Sequence, residues 1–71
     1  EASKLLQAAL DSLPEAKRDV LVLFELQGLS GEEIAHALEI PLATVWTRLF
    51  HARKALSAAV QRLEAREHRH V

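Results

Sequence analysis

Residues 30–56 read SGEEIAHALEIPLATVWTRLFHARKAL, and their spacing sets the fold expected of the whole chain. Ser30 with Glu33 three positions later is a capping box, in which the serine hydroxyl accepts from the Glu33 amide while the glutamate carboxylate accepts from the Ser30 amide. A short helix therefore starts here, with Ile34, Ala35 and Leu38 on its apolar side, and Pro41 ends any continuation. A second, long helix is expected from about Ala43 to the mid-sixties. Its stripe of Val45, Leu49, Ala52, Leu56, Ala59 or Val60, and Leu63 recurs at three- and four-residue intervals. Two helices joined by Glu39-Ile40-Pro41-Leu42 have helix-turn-helix spacing. In such a unit the first helix braces and the second enters the major groove of DNA, where its N-terminal side chains meet base edges.

Outward from this unit the pattern stays helical, because Ala and Leu dominate and strand-like alternation is absent. A first helix is expected from Ser3, as its N-cap, through Leu6 and Leu10 to a stop before Pro14. Pro14 then suits the first turn of a second helix, with Glu15 and Asp19 near its positive end and Val20, Leu21, Leu23 and Phe24 directed inward. Gly28 is the natural stop of that helix, since it accepts a left-handed conformation without steric cost. The expected fold is all-α, a compact four-helix domain over residues 1–66 whose last helix is the recognition helix, followed by a polar tail, 67–71.

The 71-residue composition narrows the function. With no cysteine, disulfide scaffolds, Cys-based zinc sites and thiol nucleophiles are excluded. No apolar run approaches the roughly 18 residues a membrane span needs. A single core in a chain below about 80 residues rarely supplies more than about 3–5 kcal/mol and leaves no room for a deep cleft, which favours a binding module over an enzyme. Ser30, Glu33 and His36 are the residue types of a catalytic triad, but capping already explains the first two. His68-Arg69-His70 is the one metal-like spacing; alternate histidines on a polar tail hold a metal only weakly, so neither a metal nor a cofactor is expected. The chain starts at Glu1 and contains no methionine, as expected of a segment of a longer protein, and no signal or transit peptide is legible in it. A reducing compartment is compatible with the lack of cysteine, and the expected location is cytoplasmic.

The net charge of −1 conceals two halves of opposite sign. Before Thr44, eight acids (Glu1, Asp11, Glu15, Asp19, Glu25, Glu32, Glu33, Glu39) outnumber Lys4, Lys17 and Arg18, for a balance of −5; from Thr44 on, six bases (Arg48, Arg53, Lys54, Arg62, Arg66, Arg69) face Glu64 and Glu67, for +4. A basic segment so placed can meet a polyanion while the rest of the domain repels it, which orients the encounter. A merely solvated basic helix would carry the same charge. At 100 degrees per residue, Ala43, Thr47, Phe50, His51 and Lys54 fall opposite the apolar stripe, flanked by Thr44, Trp46, Arg48 and Arg53.

Leu10 to Leu56 resembles region 4 of the extracytoplasmic-function (ECF) sigma factors. The family pattern, approximately L-x-x-LP-x-x-x-R-x-V-L-x-L followed by G-x-S-x-x-EIA-x-x-L-x-IP-x-x-TV-x-S-R-L-x-x-AR-x-x-L, is met in register by Leu13-Pro14, Arg18, Val20-Leu21, Gly28, Ser30, Glu33-Ile34-Ala35, Ile40-Pro41, Thr44-Val45, Arg48-Leu49 and Ala52-Arg53. The resemblance implies a bacterial four-helix domain that recognises the minus-35 promoter element, as double-stranded DNA, while RNA polymerase core is bound, and that an anti-sigma factor masks. The family's N-terminal half, which reads the minus-10 element, is not in this sequence. The family's base and phosphate contacts fall here on Thr44, Trp46, Thr47, Arg48, Phe50, His51 and Arg53, which Lys54 joins from the outward face. By chemistry Arg48 and Arg53 suit phosphates or guanine, Thr47 a phosphate or base edge, and Phe50 a thymine methyl or the sugar backbone. Arg53 could instead pair with an acid of the second or third helix, and Phe50 could fill a gap against a neighbouring helix.

Two positions depart from the family. Trp46 stands where Lys or Arg is usual and His51 where Arg is usual, so two fixed cations and their counterion-release contributions are lost. A protonated His51 beside a phosphate would favour binding at pH 6 over pH 8. Trp46 and Phe50, four residues apart, also form an exposed aromatic pair of the kind that anchors protein interfaces. Two alternatives therefore stand beside promoter recognition: a sigma-like module that binds an anti-sigma factor and hardly touches DNA, and the output domain of a LuxR-type regulator, which shares the G-x-S-x-x-E-I-A and T-V signals. Leu13-Pro14, Pro41 and the run Ala52-Arg53-Lys54-Ala55-Leu56 speak against the latter. A leucine stripe continuing through Leu56, Val60 and Leu63 is expected to pack against the first helix through Leu6 and Leu10, any exposed remainder being free to self-associate or to receive a partner helix.

Overall fold

The computed structural model describes the backbone of residues 2–69 and the side chains of residues 3–66. Its helices are α1 (Ala2–Asp11), α2 (Glu15–Leu21), α3 (Gly31–Leu38) and α4 (Leu42–Arg69), and no strand occurs among the described residues. The all-α expectation and the four-helix order both hold. The 28-residue α4 would span about 42 Å at 1.5 Å per residue, which accounts for the 46 Å long axis of the molecule. α1, α2 and α3 all pack on α4. α4 is continuous past Arg66 to Arg69, so the expected boundary before the tail is not a helix end. The side chains of the histidine pair at 68 and 70 lie outside the described residues.

The core forms where the apolar faces converge on α4. Leu10, Leu13, Val20, Leu21, Ile34, Val45, Leu49 and Ala52 are buried together, with Leu23, Phe24, Leu29, Ala35, Leu38, Ile40, Ala55 and Leu56 around them. Two expectations change at the N-terminal end, one of packing and one of capping. Leu6 remains 42% exposed, because the buried face of α1 is carried by Ala9 and Leu10. α1 begins at Ala2, which places Ser3 inside the first turn rather than at the cap.

Helix ends follow the local chemistry with three instructive exceptions. Pro14 occupies the cap position before α2 rather than its first turn, and its carbonyl accepts from the Lys17 and Arg18 amides at 3.1 and 3.0 Å. α2 does not stop at Leu21 but widens into a π-helical turn, Val22–Leu26, in which the Gln27 amide donates to the Val22 carbonyl at 3.0 Å. Gly28 then adopts φ +73°, and the Leu29 amide closes the end on the Leu23 carbonyl. The third exception ends α3: Glu39 sits at φ 58°, ψ 48°, a left-handed position usually held by glycine. The Glu39 amide donates to the His36 carbonyl and the Ile40 amide to the Ala35 carbonyl, so a Schellman motif turns the chain toward Pro41 and α4. At the other end of α3 both halves of the Ser30–Glu33 capping box are present, at 3.1 and 2.8 Å.

Candidate nucleic-acid interface

α4 is fixed by its buried stripe, Val45, Leu49 and Ala52, each at most 1% exposed. What that stripe does not use becomes the outer surface of the first three turns. Thr47, Phe50, His51, Arg53 and Lys54 are exposed, Trp46 is 46% exposed, and Thr44 and Arg48 are half-buried. All eight positions expected to face DNA thus retain accessible surface, but they divide between two flanks of the helix.

On one flank Thr44, Thr47, Arg48 and His51 line an open concavity of about 330 Å³ together with Ala43 and Lys17. Arg48 also borders a neighbouring hollow formed by Glu15, Ala16, Asp19 and Leu38. No carboxylate lies within 4 Å of the Arg48 or Lys17 cation among the described residues. The Thr47 hydroxyl donates to the Ala43 carbonyl at 3.0 Å, so it meets a base edge or a bridging water as an acceptor unless that bond is exchanged.

The other flank carries Trp46, Phe50, Arg53 and Lys54, around a second hollow with Leu49 and Ser57. Here the π-helical turn intervenes. Its Phe24 meets the Trp46 ring edge-on at 5.9 Å and 86°, and its Glu25 accepts from Arg53 Nε at 3.0 Å and Nη2 at 2.8 Å. The Arg53 guanidinium also lies over the Phe24 ring, 5.4 Å from its centroid. Pairing with an acid of the second helix, here Glu25 on its π-helical continuation, is therefore the arrangement found for Arg53. Both side chains are about half exposed, at 52% and 47%, so the pair stabilises the fold by at most about 1 kcal/mol and can open.

The two aromatics do not stack on one another. Trp46 turns toward Phe24 and covers Gly31, whereas Phe50, 57% exposed, meets the His51 ring edge-on at 5.4 Å and carries Lys54 Nζ 5.1 Å from its centroid. Gly31 has an ordinary backbone conformation, and its role is spatial: a Cβ there would stand 2.6 Å from Trp46 Cη2. Gly31→Ala is accordingly expected to expel the indole. Overpacking costs about 1–3 kcal/mol and the better helix former returns up to about 1. The emission of Trp46 should shift to the red while the melting temperature falls by no more than about 15 °C, the net cost being about 0–2 kcal/mol; an unshifted spectrum would mean that the ring does not rest on Gly31.

The sequence pointed to an acid of the second or third helix for Arg53 without singling out Glu25, and gave no sign of Lys17 or of Phe24 at this face. Both come from helices outside the two-helix unit, and only the tertiary fold brings them to α4. Among the described residues no three His, Cys, Asp or Glu side chains are grouped to hold a metal, and no helix is long and apolar enough to cross a membrane.

Comparison with known proteins places residues 3–56 on the family described as sigma-70, region 4. The ECF RNA polymerase sigma-E factors of Escherichia coli (strain K12) and Salmonella typhimurium (strain LT2) are each 43% identical to this chain over 63 residues, 89% of the chain and 33% of the relative. The RNA polymerase sigma-H factor of Pseudomonas aeruginosa is 40% identical over the same share. The chain spans about a third of the length of the curated relatives it matches.

Proposed function

This chain belongs to the sigma-70 region 4 family, and from that premise we propose that α4 recognises the minus-35 promoter element as the DNA-reading domain of an alternative, ECF-type sigma factor. It is a binding domain of a transcription initiation factor, not an enzyme. The observation that carries this reading is the outer face of the first turns of α4: hydroxyls at Thr44 and Thr47, cations at Arg48 and Lys54, and an exposed Phe50, on a helix whose opposite side is locked into the core. Arg48 is the principal contact, because its cation has no ion-pair partner, and Arg53 is a secondary one that must first leave Glu25. Thr47 as an acceptor suits the exocyclic amine of adenine or cytosine, Phe50 suits a thymine methyl, and His51 and Lys54 suit phosphates. Trp46, docked on Gly31, acts by shape at the edge of this face.

Selection from a pool of random duplexes by the domain tests this directly: a recovered motif of minus-35 type supports the reading, and an unenriched pool defeats it. The family match gives no support to the LuxR-type alternative. The further partners of the reading are RNA polymerase core and an anti-sigma factor, with the cytoplasm as the place of action. One feature favours a protein partner in addition to DNA. Leu6, Leu10, Leu21, Leu26 and Leu56, with Glu25, line a small apolar hollow of about 80 Å³, and its rim residues Leu6 and Leu26 are 42% and 64% exposed. That surface suits the apolar side of a partner helix, and it lies on α1, α2 and its π-helical continuation, and α4, away from the first turns of α4.

A further inference from the structure

We infer that Lys17, on α2 and outside the helix-turn-helix, forms with Arg48 and His51 a seat for one DNA backbone phosphate and so fixes the flank of α4 along which that strand runs; the inference rests on the DNA-binding reading above. Three observations carry it. First, Lys17 and Arg48 border the same concavity, of about 330 Å³, in which the other polar side chains are Thr44, Thr47 and His51 and no acid takes part. Two cations with no ion pair of their own, set among hydroxyls and an imidazole, are the chemistry of a phosphodiester site. The opening is wide, which fits a continuous strand better than an enclosed small anion.

Second, Lys17 is placed by the first turn of α2: its amide donates to the Pro14 carbonyl at 3.1 Å, and its side chain is half-buried against the concavity that Arg48 borders. Its neighbour Arg18 is directed elsewhere, with Nη1 3.5 Å from the Leu13 carbonyl, so the basic contribution of α2 to this site is that of Lys17. Third, the two sides of Arg48 differ in sign. Glu15 and Asp19 line the hollow on one side and Lys17 and His51 the hollow on the other. A phosphate approaching Arg48 is repelled from the first and drawn into the second. The acidic half of the chain thus supplies the single lysine that completes the site and the two carboxylates that exclude the alternative path.

A phosphate contact predicts a specific signature. In the 71-residue chain titrated with matched and scrambled duplexes across a salt series, Lys17→Ala should weaken binding to both by the same factor, about 3- to 10-fold near 150 mM salt. The slope of log K against log salt should fall by about 0.9, the contribution of one neutralised phosphate. Lys17→Arg should restore the slope and Lys17→Glu should weaken binding further. Arg62→Ala, an exposed change about 21 Å along α4 from Arg48 and some two Debye lengths away, removes the same charge and should leave the slope nearly unchanged. Retention of the slope by Lys17→Ala, an equal effect of Arg62→Ala, or a loss confined to the matched duplex would overturn the inference while selective binding by the parent chain left the DNA-binding reading intact. Absence of duplex binding by the parent chain would overturn both.

Discussion

Ile34→Ala is expected to unfold most of the domain at room temperature. Ile34 is completely buried and is among the largest side chains that are. It is the fully buried apolar side chain of the eight-residue α3, with Ala35 and Leu38 partly buried beside it, and a helix of that length does not persist without packing. Truncating a buried isoleucine to alanine costs about 2–5 kcal/mol, against a total of about 3–5 kcal/mol for a core in a chain of this size. Thermal unfolding followed by circular dichroism should show the midpoint fall by at least about 10–20 °C, with duplex binding lost alongside. A fall below about 5 °C would mean that α3 is held by something other than this side chain.

Arg48→Ala is expected to produce the largest loss of DNA binding obtainable from a single surface substitution that leaves the fold intact. The guanidinium is half-buried, aimed by a helix whose neighbouring Leu49 is locked in the core, and free of any carboxylate within 4 Å. A preorganised cation of this kind contributes about 1–3 kcal/mol to a base or phosphate contact, roughly 5- to 150-fold in affinity. The two contacts separate experimentally: loss of a phosphate contact lowers the salt slope by about one and spares selectivity, whereas loss of a guanine contact removes selectivity at one base pair. Arg53→Ala should cost less, because the arginine already satisfies Glu25 and its removal deletes a competitor as well as a contact. Arg48→Ala with unchanged affinity, in a chain whose circular dichroism is also unchanged, would remove Arg48 from the interface.

The parts of the fold legible in the sequence were those encoded within a few residues. The Ser30–Glu33 box, the left-handed Gly28, the stop before Pro41 and the three-four stripe of α4 all rest on local geometry, and each is found where its spacing predicts. The π-helical turn was not legible, because Val22-Leu23-Phe24-Glu25-Leu26 reads equally as ordinary helix; its contacts with α4, Phe24 on Trp46 and Glu25 on Arg53, join residues more than 20 positions apart. Glu39 gave no signal either, since a left-handed residue is normally announced by glycine or asparagine, and here the position closes a Schellman motif through the Glu39 and Ile40 amides. The same division runs through the candidate site. The outward residues of α4 followed from the helical wheel, but the Glu25–Arg53 pair spans 28 positions, and the Trp46–Gly31 contact and the place of Lys17 exist only once α2 and α3 have docked.

Trp46, the sole tryptophan, sits at the edge of the proposed reading face and is 46% exposed, which makes its emission the most direct probe of the central claim. The chain is titrated with duplexes carrying an AAC-type minus-35 element and with scrambled duplexes at several salt concentrations. Promoter recognition by α4 predicts a change in emission that saturates at lower concentration with the matched duplex and weakens steeply as salt rises. An emission spectrum of the folded chain that stays flat with both duplexes, or responds equally to both, would contradict it.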